Sequence, residues 1–173
     1  VARILIVGGG CRGRRLAVQM NESGHAVRVT TRTDAGRAAI EQTGAECWIG
    51  TPDRLATLRG ALENVTIACW MLAGAHGESD ELAALHGSRL EFFLSQAIDT
   101  TVRGLIYDAT PGRVEPDALA EGERLVRSMT KLNAIPMAIL VAGGVAGVAG
   151  VAGDDEAWAA AAAAAVERLL ARA

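Results

Sequence analysis

The residues with the clearest chemical use lie near the amino end of the 173-residue chain. Gly8, Gly10 and Gly13 stand in a Gly-x-Gly-x-x-Gly spacing directly after the apolar run Arg3-Ile4-Leu5-Ile6-Val7. They open a segment in which Leu16, Ala17 and Met20 recur at helical spacing. The first glycine permits a tight turn, the second lets the backbone approach a pyrophosphate, and the third lets helix and strand pack closely. The helix start adds free amides and a positive dipole end. An ordinary strand-to-helix turn would also make such a junction, but it rarely needs glycine at all three positions. The expected chemistry is dinucleotide binding, with Gly8, Gly10, Cys11, Arg12 and Gly13 as contacts.

About 20 residues further on, where an NAD-selective site places a carboxylate on the ribose hydroxyls, the chain reads Val29-Thr30-Thr31-Arg32. Arg32 suits a 2′-phosphate instead. Thr30, Thr31 or Thr33 would donate hydrogen bonds to it, and Arg12 would approach from the other side. NADP(H) is therefore preferred, with NAD(H) as the alternative. The plainer reading makes Arg32 a solvated loop residue neutralised by Asp34.

Ligands of open parallel sheets lie outside the carboxyl ends of the strands. That rule nominates Ala73-Gly74-Ala75-His76 and Thr110-Pro111-Gly112-Arg113. His76 is the candidate acid or base, since histidine titrates near neutrality, although a lone loop histidine is more often structural; His25 and His86 rank below it. Cys11, at a helix start beside Arg12, invites a redox role, but a small residue filling the loop is the simpler reading. Phe92-Phe93 reads as core, and no His or Cys spacing matches a metal site.

These residues must be positioned by an α/β fold, because strand-length apolar runs alternate with helical segments throughout, the pattern of a doubly wound parallel (Rossmann) sheet with flanking helices. Six strands are expected, at Arg3–Val7, Ala26–Thr31, Glu46–Ile49, 65–72, 104–107 and Met137–Val141. Helices are expected at 13–23, 35–43, 52–62, 79–98 and 116–132. A Gly/Ala-rich connector over 143–153 repeats Val-Ala-Gly and cannot hold a packed core. A last helix follows within 154–172, capped by Asp154 or Asp155, and presents Trp158, Ala162, Val166, Leu169 and Leu170 on one face.

Length and an apolar content of 50% suit a single domain over 1–173. A net charge of -3 gives no footprint for nucleic acid or an anionic membrane. Three unpaired-looking cysteines and the lack of a leader pattern point to the cytoplasm. The stretch from 134 to 153 carries no charge, but Pro136 and five glycines make it too weakly apolar for a membrane span.

The segments Ile4-Leu5-Ile6-Val7-Gly8-Gly9-Gly10, Gly13-Arg14-Arg15-Leu16-Ala17 and Gly24-His25-Ala26-Val27-Arg28-Val29-Thr30-Thr31-Arg32 resemble the start of atypical, epimerase-like short-chain dehydrogenases. Gly44-Ala45-Glu46 and Cys69-Trp70-Met71-Leu72-Ala73-Gly74 continue the likeness, which makes Ala73 and Gly74 the cofactor-flanking turn. Enzymes of that superfamily use a Tyr-x-x-x-Lys pair to move a proton during hydride transfer. Here the only tyrosine is Tyr107 and the only lysine is Lys131. The resemblance sets Thr110 near the family's catalytic hydroxyl. The sequence also runs out soon after the sixth strand, so a substrate pocket would be shallow or completed by a partner. Two functions follow as expectations. One is an NADP(H)-binding sensor or subunit with little or no catalysis, read by an unknown protein partner. The other is an oxidoreductase or epimerase-like enzyme using His76, Thr110 or Asp108, its pocket completed by a homodimer formed through the 79–98 and 116–132 helices.

Overall fold

A computed structural model describes residues 1–142, 144–145 and 155–173. Its centre is a seven-stranded sheet in the order β3-β2-β1-β4-β5-β6-β7. The strands are β1 (Arg3–Val7), β2 (Ala26–Thr31), β3 (Glu46–Ile49), β4 (Ile67–Trp70), β5 (Gly104–Asp108), β6 (Met137–Val141) and β7 (Gly144–Val145). The first six are parallel, and the two-residue β7 returns antiparallel on β6. Because alternate side chains point to opposite faces, β1 divides between two cores. Ile4 and Ile6 pack with helices α1 (Cys11–Glu22) and α6 (Asp155–Leu170), whereas Leu5 and Val7 pack with α4 (Ser88–Ala97) and α5 (Pro116–Asn133). Burial on both faces explains why the central strands read as continuous apolar runs.

The helices depart from the sequence expectation in two places. The 52–62 segment forms two short 3₁₀ turns, Leu55–Thr57 and Gly60–Leu62. Beside the second turn Arg28 of β2 is buried, is held by Glu46 at 3.0 Å, and donates to the Ala61 carbonyl at 2.6 Å. Thr57 also turns its hydroxyl onto the Arg54 carbonyl at 2.6 Å, a local bond that competes with helix formation. The 79–98 helix breaks at Gly87 (φ -114°, ψ -109°) into α3 (Ser79–His86) and α4. That break lets His86 point inward to the Tyr107 hydroxyl at 2.7 Å and the Leu72 carbonyl at 3.3 Å. Smaller differences are the shorter β4, β5 reaching Asp108, and the 35–43 helix reduced to a 3₁₀ turn, Asp34–Gly36, followed by α2 (Arg37–Glu41).

In α6, Trp158, Ala162, Val166 and Leu169 are buried as expected, while Leu170 is half-buried at the margin. Asp155 is the first helical residue. Asp154 and the connector, apart from the β7 backbone, lie outside the described residues. Among the described residues no helix is long and apolar enough to cross a membrane.

Candidate functional site: a cleft at the strand ends

The chain leaves β1 toward β2 and β3 on one side and resumes through β4 and β5 on the other. The loops after β1 and β4 therefore separate and leave a crevice, the usual ligand position in such sheets. A cleft of about 790 Å³ opens there, lined by the glycine loop, Thr31, Arg32, Gly74, His76 and Asp108 among others. Its volume is in the range of ligand pockets, roughly 300–1,000 Å³.

The glycines of the loop have different duties. Gly8 has φ +118°, and a β-carbon there would collide with the Met71 carbonyl; one on Gly13 would collide with the Gly8 carbonyl. Both are required by the fold. Gly10 has extended backbone (φ -68°, ψ -178°), and a β-carbon on it would meet nothing within 4 Å. Its missing side chain leaves room at the start of α1. No side chain caps that start, and its first turn holds no acid. The first helical bond runs from the Arg14 amide to the Gly10 carbonyl at 3.0 Å, so the Cys11, Arg12 and Gly13 amides have no acceptor among the described residues. Free donors, a positive helix end and open space above Gly10 fit a pyrophosphate. Gly74, across the cleft, likewise has nothing within 4 Å of its β-carbon position.

Neighbouring side chains brace the loop. Thr30 is buried, lines the cleft, and braces the loop through its hydroxyl oxygen, which accepts the Gly8 amide at 3.2 Å. Arg14 donates to the Gly9 carbonyl at 3.0 Å and lies 3.7 Å from the exposed Cys11 thiol. Thr31 faces the cleft, its hydroxyl donating to the Thr33 carbonyl at 3.3 Å. Arg32 is exposed on the cleft and has no hydrogen bond or ion pair among the described residues. Asp34 does not neutralise it, because Asp34 pairs with Arg37 at 2.6 Å, within reach of its own short helical turn.

Arg12 turns toward α6, where its guanidinium lies 3.5 Å from Asp155 and 5.2 Å from the centre of the Trp158 ring. Trp158 in turn donates its indole N–H to the Thr110 hydroxyl at 3.1 Å, and Thr110 donates to Asp108 at 2.5 Å. Thr110 thus lies beneath the cleft with its proton already committed. Asp108 is buried at the cleft floor, and burial raises its carboxyl above the usual range, partly opposed by Thr110 and Arg12. His76 is exposed in the loop after β4 and lines the cleft, as Ala73, which is buried, does not. Sequence reasoning missed the Arg12–Trp158–Thr110 connection, since nothing in spacing reveals which loop a distant helix start will touch.

Tyr107 lies on the opposite face of β5, far from a proton-transfer role. Its hydroxyl lies 2.7 Å from His86 Nδ1 and 3.3 Å from the Leu119 carbonyl, the His86 ring donates through Nε2 to the Leu72 carbonyl, and burial holds the phenol well above its ordinary pKa and lowers that of His86. Lys131 is on the exposed end of α5. The Tyr107 ring fits closely over Gly122, where a β-carbon would collide with the hydroxyl. Gly122→Ala should therefore cost about 1–3 kcal/mol, as overpacking does, seen as a lower urea midpoint at unchanged slope. No group of His, Cys, Asp or Glu suited to a metal occurs among the described residues.

No protein-family model and no curated protein matches this chain. Solved structures do. A Bacillus halodurans protein described as an NAD-dependent epimerase/dehydratase superposes with a TM-score of 0.69 at 18% identity, over 83% of this chain and 71% of its own. Pen from Bacillus thuringiensis gives 0.69 at 17% identity, over 86% and 53%. UDP-glucuronic acid 4-epimerase from Bacillus cereus, solved with NAD, gives 0.65 at 16% identity, over 80% and 55%. The chain spans about half the length of the last two. The chain has the Rossmann-like α/β fold of these structures.

Proposed function

We propose that residues 1–173 form one NADP(H)-binding domain that acts as a nucleotide sensor or subunit, with little or no catalysis of the short-chain dehydrogenase kind. The observation that carries the reading is a single cleft containing both an unfilled glycine at an uncapped helix start and an unpaired arginine at the end of β2. Gly8, Gly10, Cys11, Arg12 and Gly13 hold the pyrophosphate, Arg32 beside Thr31 meets the 2′-phosphate, and Gly74, next to the buried Ala73, forms the far wall. The solved structure of the Bacillus cereus epimerase with NAD supports a nicotinamide dinucleotide. The preference for NADP rests on Arg32 and on the lack of a carboxylate at that strand end.

Limited catalysis is supported by the placement of the proton donors, with Tyr107 buried on the other face and the Thr110 proton held by Asp108. An oxidoreductase remains the second reading because His76 is exposed on the cleft. Parallel calorimetric titrations with NADP, NADPH, NAD and NADH test the site. Arg32→Ala should weaken NADP(H) by about tenfold to 100-fold, the scale of charge-assisted hydrogen bonds, and leave NAD(H) unchanged. Equal losses for both nucleotides would remove the argument for the 2′-phosphate. Steady NADPH oxidation with a carbonyl substrate would favour the enzyme reading, and its loss in His76→Ala would assign the acid.

A further inference from the structure

A domain that senses a nicotinamide nucleotide must distinguish its oxidised from its reduced form, and the two differ in charge at one ring: the oxidised ring is a cation and the reduced ring is neutral. Among the described residues four acidic groups line the cleft, Asp53, Glu81, Asp108 and Asp155, and Asp108 is the one that stands at the end of β5. Asp108 closes β5 with 1% exposure and lines the cleft. Its Oδ1 accepts both the Thr110 amide at 3.1 Å and the Thr110 hydroxyl at 2.5 Å. Its Oδ2 has no hydrogen-bond partner among the described residues. The one sealed side-chain polar atom without a partner among them is Arg89 Nε. Oδ2 is therefore not fully sealed, and because Asp108 lines the cleft its slight exposure is toward that space.

The strand order says which half of a dinucleotide would meet it. With the pyrophosphate at the start of α1 and the 2′-phosphate at Arg32 beyond β2, the other half must extend across β4 to β5. Adjacent strands are about 4.8 Å apart, so the end of β5 is roughly 10 Å from β1, within reach of a nicotinamide nucleoside. We propose that Asp108 reads the redox state of the bound nucleotide, its free Oδ2 facing the nicotinamide half and favouring the cationic ring over the neutral one. This inference rests on the dinucleotide reading above.

The charges around Asp108 allow it to respond. Arg12, from the start of α1, favours its ionised form, and Asp155, from the start of α6, pairs with Arg12 and tempers that effect. Trp158 from α6 is uncharged, and the neighbouring Tyr107 points to the other face of the sheet. Burial opposes ionisation. A cationic ring would offset that cost and draw the carboxyl toward its charged form, so NADP+ binding should release a proton that NADPH binding does not. Removal of the charge should abolish both differences.

The test is titration of the wild type and Asp108→Asn with NADP+, NADPH and nicotinamide-free 2′-phospho-ADP-ribose, each in two buffers of different ionisation enthalpy. Wild type should prefer NADP+ to NADPH by about tenfold, a modest effect for opposite charges in a partly hydrated cleft, and should release protons with NADP+ only. In Asp108→Asn the preference and the proton release should vanish while 2′-phospho-ADP-ribose affinity is unchanged. Wild-type protein that binds NADPH as tightly as NADP+ with equal proton counts would overturn the inference without any variant. So would a preference that survives in folded Asp108→Asn. Binding of 2′-phospho-ADP-ribose in either case would leave the dinucleotide reading standing; no binding of any of the three ligands to wild type would overturn both.

Discussion

Gly10→Val should weaken dinucleotide binding by about 100-fold or more, close to 3 kcal/mol, while the protein stays folded. The loop separates these two effects because Gly10 is the glycine the fold does not require. Its backbone conformation is open to any residue, and a β-carbon there meets no atom within 4 Å. The side chain would project into the space that a pyrophosphate needs in order to reach the amides of Cys11, Arg12 and Gly13. The cost to the fold is limited to a poorer residue before α1, about 1 kcal/mol or less. Titration calorimetry and a thermal melt on one preparation read both quantities. Gly13→Ala is the contrast, because its β-carbon would collide with the Gly8 carbonyl, so it should lower stability as well as affinity. A Gly10→Val protein that binds like wild type would mean that no ligand approaches this loop closely.

The largest stability effect is expected at Trp158. Truncation to Ala should cost about 3–5 kcal/mol, since the indole is 4% exposed, packs in the core shared with α1 and donates a hydrogen bond to Thr110. The same change removes the aromatic surface under Arg12 and frees the Thr110 hydroxyl from one of its partners. Trp158→Phe keeps most of the volume but loses the indole N–H, and should cost nearer 1 kcal/mol. Denaturant unfolding of the three proteins orders them wild type, Phe, Ala. Equal midpoints for wild type and Trp158→Ala would mean that α6 does not hold the core in place.

The parts legible in the sequence are those in which local chemistry and global packing agree. Continuous apolar runs at β1 and β4, punctuated by glycine turns, leave few alternatives to parallel strands buried on both faces. The glycine spacing likewise locates a helix start beside a strand end. Two helices could not be delimited in the same way. Arg28 falls in β2 as one charged residue, and only the fold shows that it is buried and donates to the Ala61 carbonyl beside the 3₁₀ turns. His86 sits at an ordinary helical position, and only the fold shows that it turns inward to Tyr107 and Leu72 where the helix breaks at Gly87.

By itself, then, the order of residues determined six strands of the sheet, their parallel winding and the position of the glycine loop, because these follow from hydrophobic period and from the absence of side chains at Gly8 and Gly13. The tertiary structure decided which polar groups remain free to act. Thr30, Thr31 and Arg32 are adjacent in sequence, yet Thr30 braces Gly8, Thr31 bonds to Thr33 and Arg32 faces the cleft without a partner. Asp108 and Thr110 looked equivalent as candidates, yet a tryptophan 48 positions beyond Thr110 engages its hydroxyl, while one oxygen of Asp108 is not fully sealed from the cleft. A side chain's chemistry depends on which of its hydrogen bonds are already made, and distant segments make them.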